Sequence, residues 1–515
     1  MARPDARPFF RFRRNRRSLR PPRRGEADMR LSALLATVGL QLSATHDPDI
    51  TAITADSREA APGVLFAALP GAKTDGRRFI PSVIAAGAAA ILAPADTPDI
   101  EQANVALVKS ADARRTLSLL AAAFVGPQPD HQVAVTGTNG KTSTVDFLRQ
   151  LWIASERSAA SLGTLGLKAP VTLPFEIPSL TTPDPVTLAR GLAALRTSGV
   201  TDVAMEASSH GLDQRRLDGV RLSAAGFTNL TRDHLDYHGD LAAYRAAKLR
   251  LFDTLLPEGA VAAANADMDG ETLDAIRDIA KRRGLVLRLV GENGDTLRLL
   301  KQESLPEGQR LRVSAFGRDH DIILSLPGRF QADNVLLAAT LAARDEAGVE
   351  TALAHAQQLR GVRGRMERAA LLGNGAAVYV DYAHTPDALA RALTSLRPHA
   401  RGRLLVAFGA GGDRDRGKRP LMAREAAANA DVVIVTDDNP RSENPADIRR
   451  DVLAGAPDAF EIGDRAKAIA AGLDMLRPGD VLLVAGKGHE QGQTIGGVVH
   501  PFDDVSVIRE LAGAA

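Results

Sequence analysis

The sequence contains no cysteine. Disulfide bonds, thiolate metal sites and cysteine nucleophiles are therefore excluded, and the absence is typical of a cytoplasmic protein. Aromatic residues make up only 4% of the chain, so we expect helices packed closely on sheets rather than an aromatic-rich core. Long hydrophobic runs are also missing, because no segment approaches the roughly 18 consecutive apolar residues of a membrane-spanning helix.

The excess of positive charge is confined to the start of the chain. Residues 1–28 carry a net charge of +7, with ten arginines and three acidic residues, and the whole chain carries +2, so residues 29–515 carry −5. This mildly acidic body does not predict a nucleic-acid-binding face. No apolar run of the kind found in secretory signals follows the arginines. We predict that residues 1–28 form a disordered tail without a function.

A chain of this length corresponds to about three domains of ordinary size. The predicted fold class is α/β, with a small N-terminal α/β domain (residues 29–128), a central P-loop domain with a mostly parallel sheet (129–362) and a C-terminal Rossmann-like domain (363–515). In the first domain we predict strands at residues 63–69 and 87–92 and a helix at residues 80–86.

Four strands are predicted in the C-terminal domain. They span residues 376–381, 404–408, 432–436 and 481–485. Each is a continuous apolar run, as in parallel sheets that are covered on both faces, and each is followed by polar, glycine-rich sequence. Because ligands of open α/β sheets bind at the carboxyl ends of the strands, these four ends predict one substrate cleft.

A glycine-rich segment follows the predicted strand at residues 132–136 and precedes a helix with apolar residues at near-helical spacing. Its members are Gly137, Thr138, Asn139, Gly140, Lys141, Thr142 and Ser143. Glycines let backbone N–H groups approach phosphate oxygens, Lys141 adds a positive charge, and the Thr142 hydroxyl is a suitable Mg²⁺ ligand. We predict a site for nucleotide phosphates; the alternative is an ordinary turn between a strand and a helix.

Further polar residues are candidates for catalysis. Glu206 ends a predicted strand, and a carboxylate at a strand end beside a P-loop is a natural Mg²⁺ ligand. His234 and His238 lie four residues apart, which fits either a functional pair or a surface helix cap. Lys248 lies on a predicted helix with Tyr244, where composition alone favours a solvated helix face.

Taken together, these motifs resemble those of the Mur ligases. The resemblance rests on the P-loop core, on residues 206–211 (Glu-Ala-Ser-Ser-His-Gly), on residues 231–239 (Thr-Arg-Asp-His-Leu-Asp-Tyr-His-Gly) and on Lys248, and it runs from about residue 56 to residue 504. It implies an ATP-dependent, ADP-forming amide ligase of peptidoglycan synthesis. Thr142, Glu206 and His234 would then hold Mg²⁺, and Lys248 would be carbamylated, so that it offers negatively charged oxygens to a metal ion.

The resemblance also assigns residues to the three substrates. The nucleotide would contact the P-loop together with Asn334, Arg365, Asp381 and His384. A structural network at a domain junction is the alternative for Asn334 and Arg365. The UDP-sugar end of the acceptor would contact Ser57, Ala72, Lys73, Thr74, Thr181, Thr182, Ser208, Gln214 and Arg216. The incoming amino acid would contact Arg414, Asp438, Asn439, Pro440, Arg441, Gly486 and Glu490.

Residues 438–441, Asp-Asn-Pro-Arg, match the pattern that the family associates with meso-diaminopimelate. The Arg441 guanidinium suits a bidentate pair with the distal carboxylate of that amino acid, Arg414 would add a second cation, and Glu490 would receive the distal ammonium. The alternative for this segment is an ordinary turn after a strand.

The implied reaction has three small-molecule substrates and uses Mg²⁺. ATP would phosphorylate the free D-Glu carboxylate of a UDP-N-acetylmuramoyl dipeptide, and the amine of meso-diaminopimelate would attack the acyl phosphate. Lys141 would act on the transferring phosphoryl group, and His210 or a metal-bound oxygen would be the general base. We expect a monomer. The alternatives are a lysine-adding, folylpolyglutamate or cyanophycin-type ligase, and a P-loop nucleotide-binding regulator without ligase chemistry.

Overall fold

A computed structural model describes residues 29–43, 46–71, 74–100, 104–305 and 308–513. The predicted tail at residues 1–28 and the predicted substrate-binding residues Ala72 and Lys73 lie outside the described residues. The chain divides into two compact units between Phe124 and Val125. None of the described helices combines the length and hydropathy needed to cross a lipid bilayer.

The first unit is built on a small parallel sheet. Its strands are β1 (Met29–Arg30), β2 (Asp49–Ile50), β3 (Ala52–Thr54), β4 (Val64–Ala67), β5 (Ala90–Pro94) and β6 (Ala106–Ser110), and its helices are α1 (Leu31–Ala36), α2 (Ile80–Ala85) and α3 (Ala113–Val125). Strands β3 to β6 pair in chain order and in parallel, and β1 pairs antiparallel with β2. The two strands and the helix predicted here are confirmed as β4, β5 and α2, with ends that differ by a few residues.

The second unit begins with a ten-stranded sheet. Its strands are β7 (His131–Thr136), β8 (Ala159–Gly163), β9 (Gly166–Lys168), β10 (Asp202–Glu206), β11 (Ala224–Phe227), β12 (Val261–Asn265), β13 (Val286–Gly291), β14 (Leu297–Leu305), β15 (Gly308–Ala315) and β16 (Arg318–Leu324). Its helices are α4 (Lys141–Ala154), α5 (Pro185–Thr197), α6 (Ser209–Asp213), α7 (Leu235–His238), α8 (Leu241–Arg250), α9 (Gly270–Arg283), α10 (Arg329–Leu341) and α11 (Glu346–His355), with a π-helical turn, Leu251–Leu255, after α8.

The strand order in this sheet is β16-β15-β14-β13-β12-β11-β7-β10-β8-β9. The central strands from β14 to β8 pair in parallel, whereas β15, β16 and β9 pair antiparallel. Apolar clusters cover both faces: one contains Phe147 and Leu337, and the other contains Leu192 and Phe252. Burial on both faces explains why the central strands are almost wholly apolar.

The same unit continues into a six-stranded sheet and a separate hairpin. The strands are β17 (Glu367–Leu371), β18 (Ala377–Asp381), β19 (Leu404–Phe408), β20 (Val432–Val435), β21 (Phe460–Glu461), β22 (Val481–Ala485), β23 (Gly492–Ile495) and β24 (Val498–Pro501), and the helices are α12 (Pro386–Leu396), α13 (Lys418–Asn429), α14 (Pro445–Leu453), α15 (Arg465–Asp474) and α16 (Asp504–Leu511). The sheet order is β17-β18-β22-β19-β20-β21, with only β17 antiparallel, and β23 pairs with β24.

All four strands predicted in the C-terminal region are confirmed, as β18, β19, β20 and β22. Their carboxyl ends lie at one edge of the sheet because these strands are mutually parallel and β22 lies between β18 and β19. Helices α12 and α14 begin there with a capping side chain, Thr385 or Asn444, followed by proline. The capping side chain accepts hydrogen bonds from backbone N–H groups that have no partner within the helix, and the proline fixes the first helical φ angle. The point at which each loop enters its helix is therefore fixed.

The α/β fold class is confirmed. We propose a domain boundary near residue 362, because the strands of the ten-stranded sheet end at β16 and those of the six-stranded sheet begin at β17. We likewise propose residues 29–128 as the first domain.

Candidate active site

The glycine-rich loop between β7 and α4 requires its glycines. Gly137 and Gly140 have φ angles of 139° and 87°, which disfavour residues with a Cβ atom. A Cβ atom at Gly137 would collide with the Thr228 hydroxyl, and one at Gly140 would collide with the Asn334 side-chain oxygen. The loop therefore lies close to both neighbours, and the reading as an ordinary turn leaves these contacts unexplained.

Lys141, the first residue of α4, points back into this loop. Its Nζ donates hydrogen bonds of 2.9 Å to the carbonyl oxygens of Gly137 and Thr138. Burial lowers the pKa of Lys141, and the positive charge of Arg365 lowers it further. The ammonium is thus held at the mouth of the loop, where phosphate oxygens would be stronger acceptors than the two carbonyls.

Glu206, at the end of β10, is joined to the P-loop by direct contacts. Thr142 Oγ1 donates to Glu206 Oε1 over 3.0 Å, and the Thr164 backbone N–H donates to the same oxygen over 2.8 Å. Thr164 Oγ1 donates to Oε2 over 3.2 Å. The Glu206 side chain is buried, so the structure brings a fixed carboxylate to the hydroxyl that was predicted to ligate Mg²⁺.

These groups fit a magnesium ion that is shared with a nucleotide. Within the described ranges, no group of three or more His, Asp or Glu side chains is placed for a metal ion. Mg²⁺ is commonly bound through only one or two carboxylates, with phosphate oxygens and water completing the shell. One buried carboxylate beside one hydroxyl is the donor set that such an ion needs from the protein.

The solvated alternative for Lys248 is wrong. The residue is only 1% exposed, and so is Tyr244 one helical turn earlier. Lys248 Nζ donates to the Gly137 carbonyl over 2.7 Å and lies 4.4 Å from the centre of the Tyr244 ring. Burial, followed by the charge of Lys141, lowers the pKa of Lys248 well below its usual value. The amine therefore faces the P-loop, and it loses its proton more readily than an exposed lysine does.

An aromatic cluster of His210, His234, Tyr237 and His238 lies beside Tyr244, the ring that Lys248 contacts. The His210 ring is 5.1 Å from His234 and 4.0 Å from Tyr237, measured between ring centres. His234 has a φ of 52° and is the residue that precedes α7, so it occupies a helix cap position, as one reading of the sequence predicted. The cluster meets Tyr244, whose hydroxyl lies 3.3 Å from the Thr138 hydroxyl of the P-loop.

Predicted acceptor-binding residues surround the other side of Glu206. Thr182 Oγ1 donates to the Glu206 carbonyl over 2.9 Å and accepts from the Ser208 N–H. Arg216 donates to the Thr182 carbonyl over 2.6 Å and to Gln214 Oε1 over 2.8 Å. The Thr181 hydroxyl lies 3.0 Å from that of Thr164. These five residues, from the segments at 181–182 and 208–216, therefore form one polar group with Thr164 and Glu206.

Of the four remaining acceptor residues, the two within the described ranges, Ser57 and Thr74, lie in the first unit. Ser57 begins a short 3-10 helix that is capped by the carboxylate of Asp56, which accepts from the Arg58 N–H. The Thr74 carbonyl accepts from the Gly71 N–H over 3.0 Å. Their roles remain predictions.

A cavity of about 440 Å³ connects the P-loop with the edge of the six-stranded sheet. Eight of the residues predicted for the nucleotide line it: Thr138, Asn139, Gly140, Ser143, Asn334, Arg365, Asp381 and His384. The structure thus brings together residues from positions 138 to 384 around one space, which is the arrangement that a shared nucleotide site requires.

Arg365 is one of three arginines that line this cavity, with Arg232 and Arg391. Its guanidinium lies 4.7 Å from the centre of the Tyr382 ring and donates to Thr142 Oγ1 over 3.4 Å. Its buried Nε has no hydrogen-bond partner among the described residues, which leaves a donor for a ligand. Asp381, at the end of β18, accepts from the N–H groups of Met366 and Ala383. Burial raises the pKa of Asp381, and Arg365 opposes this shift.

The predicted amino-acid site lies at the same edge of the six-stranded sheet. Arg441 has a φ of 54°, and its Nη1 donates to the Gly412 carbonyl over 2.7 Å. Its backbone bonds to Thr494 and Gly496 join the 438–441 turn to the β23–β24 hairpin. Asn439 Nδ2 donates to Glu490 Oε2 over 2.8 Å. Gly486 lies against Asp438, whereas Arg414 is exposed near the same turn.

Three family models together match most of the described residues. Residues 49–125 match the Mur ligase family catalytic domain, residues 135–342 match the Mur ligase middle domain, and residues 364–488 match the Mur ligase glutamate ligase domain. A protein of Caulobacter vibrioides named UDP-N-acetylmuramoyl-L-alanyl-D-glutamate--2,6-diaminopimelate ligase is 55% identical over 89% of this chain and 95% of its own length.

The chain belongs to the Mur ligase family. A protein of the same name from Agrobacterium fabrum is 50% identical over 92% of this chain and 96% of its own length. A solved structure of a ligase of that name matches with a TM-score of 0.70 and 32% identity, covering 94% of this chain and 99% of the other. The ADP complex of a MurF ligase from Thermotoga maritima shares the fold, with a TM-score of 0.59 and 18% identity over 90% and 97% of the two chains.

Several residues of this Mur ligase site were not predicted from the sequence. Thr164 binds Glu206, Asn229 Oδ1 accepts from the Asn139 N–H over 3.1 Å, and Tyr382 packs on Arg365. Lys487 is buried against Asn439 and Glu490. Each of the four follows the end of a parallel strand closely, at β8, β11, β18 or β22. Their position just after the carboxyl ends of parallel strands would have predicted them as site residues.

His489 gives this site a pH-dependent stability. Its ring lies 5.0 Å from that of Tyr382, and burial, followed by the charges of Arg365 and Arg363, lowers its pKa from 6.5 to about 4. Because the unfolded chain binds a proton at this histidine at a higher pH than the folded chain does, the free energy of unfolding decreases as pH falls from 6.5 towards 4.

Replacing His489 by Gln tests this pH dependence. Between pH 6.5 and 4, we expect the free energy of unfolding of His489→Gln, measured by urea titration, to decrease by about 1–2 kcal/mol less than that of the wild type. His500→Gln, at an exposed position, is the control and should leave the pH dependence of the free energy of unfolding unchanged. If this free energy depended on pH equally in the wild type and in His489→Gln, the explanation would be contradicted.

Proposed function

We propose that this chain ligates meso-diaminopimelate to UDP-N-acetylmuramoyl-L-alanyl-D-glutamate in peptidoglycan synthesis, with conversion of ATP to ADP and phosphate. The observation that carries the proposal is the presence, in one chain, of the P-loop joined to Glu206 and the Asp-Asn-Pro-Arg turn at residues 438–441. The names of relatives that are 50–55% identical over about nine-tenths of the chain support the same substrates.

In the first step, an oxygen of the free D-Glu carboxylate forms a bond to the γ-phosphorus of ATP, and the bond from that phosphorus to ADP breaks. The protein contributes position and charge rather than covalent chemistry. Lys141 exchanges its bonds to the Gly137 and Thr138 carbonyls for phosphate oxygens, and Arg365, whose guanidinium contacts Thr142, supplies its unpaired Nε. Asn334, Asp381 and His384 hold the nucleoside end in the 440 Å³ cavity.

Thr142 and Glu206 would hold magnesium, and His234 and a carbamylated Lys248 would be further ligands. When bound, Mg²⁺ neutralises charge on the phosphate oxygens. Formation of the carbamate requires a neutral amine, which adds to carbon dioxide with loss of one proton. The buried, low-pKa amine of Lys248 supports this modification, and its position beside Gly137 puts the new carboxylate at the P-loop.

In the second step, the amine of diaminopimelate attacks the acyl carbon, the carbon–oxygen bond to phosphate breaks, and the nitrogen loses a proton. Arg441 and Arg414 pair with the distal carboxylate, and Glu490 takes the distal ammonium, with Asp438, Asn439, Pro440 and Gly486 forming the rest of the site. His210 is our candidate for the proton acceptor, since it lies beside His234. Thr181, Thr182, Ser208, Gln214 and Arg216 would contact the sugar and peptide of the acceptor. From the sequence, we assign Ser57 and residues 72–74 to its uridine. We propose that the enzyme is a cytoplasmic monomer.

The test is phosphate release with each substrate omitted in turn. We expect release only when ATP, the UDP-linked dipeptide and meso-diaminopimelate are all present. Release that ignores the amino acid would contradict ligase activity and would favour the nucleotide-binding regulator. Equal turnover with L-lysine would contradict the choice of diaminopimelate and favour the lysine-adding alternative.

Replacing Arg441 by Ala tests recognition of the distal carboxylate. Loss of a charge-assisted bidentate pair costs about 1.5–3 kcal/mol, so we expect the apparent KM for meso-diaminopimelate to rise about 10- to 100-fold. The KM for ATP should change less than about twofold. Arg450→Ala, at an exposed position of α14, is the control and should change neither constant. Equal increases in both constants for Arg441→Ala would argue against direct recognition.

A further inference from the structure

Lys487 is a fully buried cation at the edge of the predicted amino-acid site. It follows β22 directly, between Gly486 and Gly488, and its side chain is 0% exposed. A buried ammonium is tolerated only when its donors are paired with acceptors. Its partners therefore indicate what the lysine holds in place.

These partners come from two different segments. Lys487 Nζ donates to Asn439 Oδ1 over 3.1 Å and to Glu490 Oε2 over 3.3 Å, and it lies 3.6 Å from a carboxylate oxygen of Asp438. Asp438 and Asn439 belong to the turn after β20, whereas Glu490 belongs to the segment after β22. One cation thus connects the two segments that we propose to bind diaminopimelate.

The contacts of Lys487 also determine which oxygen of Glu490 is available. Lys487 Nζ and Asn439 Nδ2 both donate to Oε2. Oε1 receives no hydrogen bond from the described residues, and the side chain is 33% exposed. Glu490 therefore has one oxygen fixed by the protein and one that can receive a ligand ammonium.

The orientation of the Asn439 amide follows from the same arrangement. Its Oδ1 accepts from Lys487 Nζ and from the Thr494 N–H, the latter over 2.9 Å. Two donors on Oδ1 turn Nδ2 towards Glu490. Loss of the lysine would remove one of these donors, leave the buried Asn439 Oδ1 with one donor fewer, and remove one of the two donors that hold Glu490 Oε2.

We propose that Lys487 is a positioning residue for the amino-acid site: it holds Glu490 and Asn439 in the orientation that receives the distal ammonium of the incoming diamino acid. The lysine itself is too buried to touch the substrate. This inference rests on the proposed function, because it assigns a role within the site for diaminopimelate.

The first experiment measures Lys487→Met in the full-length enzyme with all three substrates. We expect the apparent KM for meso-diaminopimelate to rise about 10- to 50-fold and that for ATP to change less than about twofold. Arg403→Met is the matched control, because Arg403 pairs with the buried Asp480 at the opposite end of β22. It should lower thermal stability without a selective effect on diaminopimelate. Equal rises in both KM values for Lys487→Met would overturn the proposal.

A double-mutant cycle separates positioning from general destabilisation. If Lys487 acts through Glu490, then adding Lys487→Met to Glu490→Gln should raise the KM for diaminopimelate by less than about twofold further. Multiplicative effects would overturn the proposal. Should Lys487→Met not fold, Lys487→Gln, which keeps one donor, is measured instead against the same outcomes. Wild-type enzyme without diaminopimelate-dependent turnover would contradict the proposed function itself, whereas an active wild type with unselective Lys487 variants would contradict only this inference.

Discussion

Replacing Lys248 by Ala should lower kcat by at least about 10³-fold, roughly 4 kcal/mol in the activation free energy. The reason is the position of this amine, which is buried, has a pKa lowered well below its usual value, and lies 2.7 Å from the Gly137 carbonyl of the P-loop. As a carbamate it would supply a negative charge at this loop, and alanine cannot supply one. Steady-state phosphate release at saturating substrates measures the effect, and added bicarbonate should not restore the variant.

Two controls separate this role from structural damage. Arg288→Met removes another buried cation of the same unit, one that binds the carbonyls of Thr340 and Ala343, and should reduce stability without a comparable loss of kcat. In the wild type, removal of carbon dioxide should lower activity reversibly, and mass spectrometry of the intact enzyme should show one added carbon dioxide on Lys248. A fully active Lys248→Ala enzyme would contradict the carbamate.

Replacing Lys141 by Met should lower kcat by about 10²- to 10³-fold, the usual effect of removing one preorganised donor from developing charge. Both recorded bonds of its Nζ go to carbonyls of the P-loop, so few other contacts are lost with it. Single-turnover phosphate release at saturating ATP measures the chemical step. Lys281→Met, at an exposed position in α9, is the control and should keep wild-type activity. An unchanged single-turnover rate for Lys141→Met would exclude a role in phosphoryl transfer.

Parallel strands were the part of the fold most accessible from the sequence. Strands β19 and β22 were predicted with their observed ends, because burial on both faces demands an unbroken apolar run. The antiparallel strands β14 to β16 were not predicted. Their residues alternate between buried and exposed and include many charges, so no apolar run marks them. The β23–β24 hairpin was missed as well, although the Gly496-Gly497 pair at its turn is a recognised signal.

The candidate site likewise contains residues that could be predicted from the sequence and residues that could not. The P-loop and Glu206 could be predicted because each follows a recognisable strand, and the ends of parallel strands meet at one edge. Burial of Lys248 could not be predicted from composition, since it depends on α8 packing its lysine against the P-loop from 111 positions away. Lys487 was overlooked for a related reason: its partners Asn439 and Glu490 lie in two segments that only the fold brings together.

The most direct test of the proposed ligase reaction measures whether an oxygen atom moves from the D-Glu carboxylate to the released phosphate. The free D-Glu carboxylate of the UDP-linked dipeptide is labelled with ¹⁸O, and the products of reaction with ATP and meso-diaminopimelate are analysed by mass spectrometry. We predict that one labelled oxygen appears in the released phosphate and that the UDP-linked product gains one diaminopimelate through an amide bond. Unlabelled phosphate together with an unchanged dipeptide would show that the chain hydrolyses ATP without joining the two substrates, and would contradict the proposal.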